Sequence, residues 1–276
     1  MVLKMNKDSY TIFVTIIQIG GNRLNLNQKY KLQDIHVHTT HSYCADPEMK
    51  PKTILEEYER MQLDKLAFMD HSAQLYVSNR DYWSGRFIDE PHLILESKEK
   101  GLDRMTGYIE EMRHLRNDHI KLGLEVEVDL NGDLTLAKED SEGWDIILGA
   151  VHYLPSRYEI GSHEGFMWAN EVLLDKGIDV LAHPFRYFLR NKLTPPKNLY
   201  RSLAKLLAEA QVAAEINFHT NEPDPDFFRI CIEEGVKIAF GSDGHELFEV
   251  GDFRKNVDLL ESISDGLDIR DLLYRI

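Results

Sequence analysis

Cysteine is scarce: a chain of 276 residues carries two, Cys44 and Cys231, and no CxxC pair. Two such distant thiols cannot build a disulfide framework or a cysteine-rich zinc module, so a reducing cytoplasm is the expected location. Long apolar runs are absent too. No stretch approaches the roughly 18 apolar residues of a membrane span, so no membrane partner is expected. The N-terminal run TIFVTIIQIG (11–20) is β-branched, interrupted by Thr and Gln and followed by no small-residue cleavage site. That character fits a strand-like extension over residues 1–31 rather than a signal peptide. Positive charge is short as well: 32 basic against 47 acidic residues give a formal net charge of −15. The balance disfavours nucleic acid and anionic lipid as partners. An anionic substrate then needs local positive charge, from metal ions or a few arginines.

What is present is alternation. Strand-like runs stand at LQDIHVH (32–38), KLAFMDH (65–71), KLGLEVEV (121–128), DIILGAVHY (145–153), IDVLAHP (178–184), VAAEINF (212–218) and VKIAFGSDGH (236–245). Between them lie helical patterns at TILEEYERM (53–61), near 100–117, and at FMWANEVLLDKG (166–177), LYRSLAKLLAEA (199–210) and DFFRICIEEG (226–235). Gly177 and Gly235 sit where a helix C-cap belongs. Seven strands separated by helices predict parallel βα units closed into a barrel, one α/β domain over 32–276. Residues 72–99 carry aromatics and charges without a clean period and are expected to form a long lid-like excursion over the barrel mouth.

The polar residues fall in a pattern of their own. In DIHVHTTHS (34–42), His36 and His38 are two apart, so on a strand they share a face while Ile35 and Val37 fill the other. The second run ends in Asp70-His71, the third holds Glu125, Glu127 and Asp129, the fourth reaches His152 and the fifth His183. The sixth ends at Asn217 and His219, the seventh at Asp243 and His245. In a parallel barrel these C-terminal strand ends converge on one face, where active sites of such barrels lie. A single strand-end histidine is ordinarily a capping residue, but seven such ends together imply a shared polynuclear metal site. Imidazole with carboxylate suits Zn, Mn or Fe rather than Mg or Ca. A carboxylate can bridge two cations, which hold one water between them as hydroxide near neutral pH, and phosphate-ester hydrolysis follows.

Taken in order, DIHVHT (34–39), FMDHS (68–72), GLEVEV (123–128), GAVHYL (149–154), LAHPF (181–185), AAEIN (213–217) and GSDGH (241–245) resemble the PHP family, the polymerase and histidinol phosphatase group. The resemblance implies a distorted (β/α)7 barrel, TIM-like, with two to three divalent ions. It implies that His36, His38 and Asp243 hold one ion, with Glu125 bridging to a second held by His152 and His183. His71 and His245 would hold a third. The third ion's remaining ligand is expected in the loop HTTHSYCAD, with Asp46 as the choice and His41 as the runner-up. Glu125, Asp243 and His245 are the expected catalytic residues.

Other polar residues have plainer expectations. Glu127 shares the strand face of Glu125 but reads as a rim residue. Asp34 is expected to orient a histidine, Cys44 to pack or to support a ligand from behind rather than act as a nucleophile, since no triad pattern accompanies it, and His219 to be either a substrate contact or a solvated loop residue. His92, His114, His119 and His163 lie away from the strand ends. Arg186, after HPF, and Arg157, in the loop after His152, are candidate phosphate ligands, since a guanidinium can bind phosphate oxygens bidentately.

The expected function is a metal-dependent phosphatase acting on a small phosphomonoester such as histidinol phosphate. A nuclease or nucleotide phosphatase is the nearest rival, against which stands the lack of a basic, aromatic-laced stripe. An amidohydrolase would share HxH and the late Asp, but no lysine stands where its carbamylated bridge belongs. A non-catalytic metal-binding protein is the third rival, opposed by the filled ligand positions.

Overall fold

In the computed structural model, which describes residues 25–276, seven strands run in chain order through one sheet. They are β1 (Gln33–Val37), β2 (Lys65–His71), β3 (Ile120–Val126), β4 (Ile146–Gly149), β5 (Val180–Leu181), β6 (Ala213–Ile216) and β7 (Ile238–Phe240). Every neighbouring pair is parallel. The barrel nearly closes: Val37 bridges Gly244, with His38 N–H donating to the Gly244 carbonyl at 3.1 Å. Every strand except β2 is shorter than its apolar run, the chain leaving the ladder to present polar side chains. The run at 11–20 lies outside the described residues.

Helices cover the outside. α1 (Leu26–Tyr30) is helical where a strand-like extension was expected, because Asn25 and Gln28 form a capping box at its start. α2 (Pro51–Met61) begins with Pro51, whose missing N–H costs nothing in a first turn. The excursion at 72–99 folds into α3 (Asn79–Trp83), α4 (Arg86–Asp89) and α5 (His92–Glu99). It packs down rather than hanging free, since Tyr82, Phe87 and Ile88 are buried and the rings of Tyr82 and Phe87 stack at 5.2 Å. α6 (Met105–Met112), α7 (His163–Asp175), α8 (Arg186–Arg190), α9 (Tyr200–Ala210), α10 (Pro225–Glu233), α11 (Arg254–Ile263) and α12 (Ile269–Leu272) complete the shell. Gly177 and Gly235 follow α7 and α10 at φ of 78° and 82°, the left-handed conformation that ends a helix.

Two apolar clusters flank the sheet. Leu66, Phe68, Leu122 and Leu124 join the large outer core, while Ile35, Ala67, Met69, Leu148, Val180 and Ala239 form a separate inner plug. Their alternation along each strand gives the side-chain directions directly. β1 breaks the alternation: Asp34 pairs with Leu66 and Val37 with Phe68, three steps on one strand against two on the other. This bulge corrects the expected register, in which Ile35 and Val37 shared a face. Below it Ile35 points into the plug; above it Val37 points outward, so His36 and His38 turn into the barrel mouth.

Candidate metal centre

Glu125, one residue before the end of β3, is fully buried at the centre of the mouth. Five imidazoles surround its two oxygens. On Oε2, His71 Nδ1 lies at 2.7 Å, His36 Nε2 at 3.6 Å and His38 Nε2 at 3.7 Å. On Oε1, His183 Nε2 lies at 2.8 Å and His152 Nε2 at 3.5 Å. Asp243 adds Oδ1 at 2.9 Å from His38 Nε2 and 3.5 Å from His36 Nε2. The Nε2 atoms of His36 and His38 approach to 3.1 Å, aimed at one point. His183 and Asp243 adopt φ of 31° and 52°, positions a side chain rarely takes and that cluster at functional sites.

Behind these donors stands a second layer. Glu215 on β6 accepts from His36 Nδ1 at 2.8 Å and from the His183 backbone N–H at 2.8 Å. Gly241 makes room for it, since a Cβ there would lie 1.9 Å from Glu215 Oε1 and 2.6 Å from His36 Cβ. Asp34 accepts from the backbone N–H groups of His36, Ser242 and Gly251. It therefore braces the strand-end backbone, and the imidazole-orienting part expected of it belongs to Glu215. Asp70 accepts from Thr39 and Ser42, tying down the loop after β1.

The electrostatics suit cations. Asp34, Asp70, Glu125, Glu127, Glu215 and Asp243 are all buried, and buried charge must be compensated. Burial pushes the Glu125 carboxyl up, but His71, His152 and His36 outweigh it and hold it well below the usual range. Asp243 is likewise held down against burial, by His36 and Arg186. Burial opposes charge on His36, yet Glu215, Asp243 and Glu125 raise it well above an ordinary imidazole. At Glu127 burial prevails and the carboxyl is pushed up to about 7. Glu125 Oε2 has no aligned hydrogen-bond donor although it is buried. An orphaned carboxylate oxygen ringed by imidazoles fits a divalent ion better than a proton.

Among the described residues, sets of donor atoms within 4.8 Å of one another are His36, His38 and Asp243; Glu125, His152 and His183; His71, Glu127 and His152; His38, Cys44, His71 and His245; and His219, His245 and Glu249. The first two contain the trios implied for two ions. Asp46 joins none of these sets: its Oδ1 accepts from the Glu48 N–H within its own turn. His41 turns away to Glu111 at 3.2 Å. The loop instead brings Cys44 to His71 and His245. Glu127 touches His152 Nδ1 at 3.0 Å, closer than a rim residue would.

A cavity of about 600 Å³ opens over the centre, walled by Tyr82, Trp83, Arg186, Arg190 and His219 among others. Arg186 donates from NH1 to Asp243 Oδ2 at 2.5 Å and from NH2 to Thr220 at 2.7 Å. Arg157 is elsewhere, bonded to the Leu130 carbonyl and lying 4.3 Å over the Trp168 ring. That corrects its expected place at the mouth; the second guanidinium on the wall is Arg190, held by Tyr153 at 3.3 Å. His219 pairs with Glu249 at 2.9 Å and stacks on His245.

The chain is similar to known proteins. A probable phosphatase of Clostridium novyi is 28% identical over 153 residues, covering 51% of this chain and 58% of that relative. The histidinol phosphate phosphatase of Lactococcus lactis, solved with zinc, L-histidinol and phosphate, matches with a TM-score of 0.53 and 18% identity. That match covers 86% of this chain and 95% of the other and shows a common fold. The PHP domain family matches residues 34–219, short of GSDGH, whose Asp243 and His245 the seventh strand carries back to the same centre. Spanning six of the seven strands, that match shows that the chain belongs to the PHP domain family.

Proposed function

We propose that this protein is a metal-dependent phosphatase of small phosphomonoesters, with histidinol phosphate the first substrate to test. The observation that carries the reading is the convergence of five imidazoles on Glu125 beneath a cavity bordered by Arg186. His36, His38 and Asp243 would hold one divalent ion, Zn, Mn or Fe; His152 and His183 would hold a second, with Glu125 between them. Bound there, such ions supply Lewis acidity and a water acidic enough to attack phosphorus near neutral pH.

The chain's own residues do the rest. Arg186 commits two of its five donors to Asp243 and Thr220, which leaves three for phosphate oxygens. Its guanidinium would offset the charge that grows in the transition state. Glu215 fixes the His36 ring, and Glu127 does the same for His152 through Nδ1. His245 faces the cavity with Nδ1 held 2.6 Å from the Asp243 carbonyl oxygen. His245 would pass a proton to the leaving alkoxide. Tyr82 and Trp83 wall the cavity against bulk water. Both cysteines are free thiols, which suits a reducing cytoplasm.

The test is metal analysis of the purified protein coupled to a panel of phosphomonoesters and phosphodiesters. The expected result is bound Zn, Mn or Fe and turnover concentrated on small monoesters; preference for single-stranded DNA or nucleotides would move the assignment to a nuclease or nucleotide phosphatase. Glu125→Gln should lower turnover by about 10³-fold or more with the fold retained. Near-wild-type hydrolysis in that variant sinks the reading.

A further inference from the structure

We infer that Cys44 is a thiolate ligand, so that one position of the metal centre is sulfur-bearing and selects a thiophilic ion. The inference rests on the metal-centre reading above and adds to it the identity of one donor and its chemical preference. Cys44 Sγ lies in one set with the ring nitrogens of His38, His71 and His245, all donor atoms within 4.8 Å of one another. Of the oxygen and nitrogen donors in the same loop, His41 turns to Glu111, and Asp46, on the cavity wall with Oδ1 accepting from the Glu48 N–H, joins no such set.

Two further observations point at an ion here. Glu125 Oε2, buried and without an aligned hydrogen-bond donor, lies 2.7 Å from Nδ1 of His71, a member of the set. Gln74, itself fully buried, directs Nε2 at Cys44 Sγ from 3.8 Å. A neutral amide donor aimed at sulfur orients a thiolate ligand in the way that outer partners orient metal-bound groups. Cys44 also borders the cavity, so an ion held there meets substrate. Coordination would replace the S–H proton by the cation, the proton leaving to solvent.

Thiolate with imidazole prefers Zn, Co or Fe(II) to Mn or Mg. Cys44 is thus a specificity-determining residue for the ion, and the position it completes is open to thiol oxidation.

Cobalt distinguishes this inference from the reading beneath it. Metal-free wild-type protein titrated with Co²⁺ should show visible d–d bands and a near-ultraviolet sulfur-to-cobalt charge-transfer band. Cys44→Ser should lose the charge-transfer band and weaken one equivalent by about 100-fold or more, keeping the d–d bands of the remaining cobalt. Cys44→Asp should recover the stoichiometry without the band, which separates lost ligation from a damaged fold. Full cobalt binding with no sulfur band in the wild type overturns the inference and leaves the centre standing. The same spectrum in wild type and Cys44→Ser does so too. Absence of any bound cobalt overturns both.

Discussion

Replacing Glu215 by Gln tests whether the ring behind the donors holds them in place. Glu215 serves two donors at once, the His36 ring through Oε1 at 2.8 Å and the His183 N–H through Oε2 at 2.8 Å. A glutamine side chain has one acceptor oxygen and one NH2. In either orientation one of the two buried donors then faces hydrogens, at a cost of about 1–3 kcal/mol in folding stability. The same loss frees a ligand ring or its backbone. Outer-layer substitutions of this kind weaken metal binding by about 10–100-fold, roughly 1.4–2.8 kcal/mol. Zinc affinity measured by chelator competition at pH 8, with denaturant unfolding of the metal-free protein beside it, reads both numbers. The pH dependence carries a sign. Glu215 makes the largest upward contribution to the His36 pKa, opposing its burial. Its removal therefore lets that ring shed its proton more easily, and the affinity defect should shrink as pH falls from 8 to 6. Zinc affinity within about threefold of wild type at pH 8, with unchanged stability, would refute the assigned role.

Gly241→Ala places a methyl against Glu215 and His36, both fully buried. Stability should fall by about 1–3 kcal/mol and metal content with it, checked by denaturation and elemental analysis. Arg186→Ala should cut kcat/KM for phosphomonoesters by about 10–150-fold, the worth of one charge-assisted contact. Arg157→Ala, which removes a guanidinium bonded to Leu130 away from the cavity, should stay within about twofold in the same steady-state assay. Acidification should release the ions: His36 and His71 are raised well above ordinary imidazoles, against their burial, by Glu215 and Glu125 respectively. Protons therefore compete with cations increasingly as pH falls below 7, and dialysis at pH 5.5 should strip metal that survives at pH 8.

The donors at strand ends were legible because a strand has a period of two and parallel strands converge. His36, His38, His71, Glu125, His152, His183, Asp243 and His245 all meet at one mouth for that reason. The β1 bulge was hidden, since it exists only relative to the register of β2. Glu215 stood in a quoted motif without a role, because its partner His36 is 179 residues away. The approach of the Cys44 loop to His71 and His245 was hidden for a similar reason. The path of that loop is set by Asp46 N–H on the His245 carbonyl and by Tyr43 N–H on Gln74, contacts that no local pattern encodes. The helices within 72–99 run four to eight residues, too short for a 3.6-residue period to show.

The near-closed seam between β1 and the chain after β7 has a consequence for folding. Six strand pairs have ladders, whereas the first and last strands are joined by a single bridge, Val37 to Gly244. His38 and Asp243 face each other across that gap, 205 residues apart in the chain. An ion held by both would cross-link the two ends of the barrel. Because those donors are brought together only in the folded chain, the binding free energy of the ion would add to the stability of the fold. Metal would then act as the clasp of the fold as well as the agent of its chemistry, and in the ion-free protein the amides of His38 and Gly244 would be the first of the barrel to exchange with solvent.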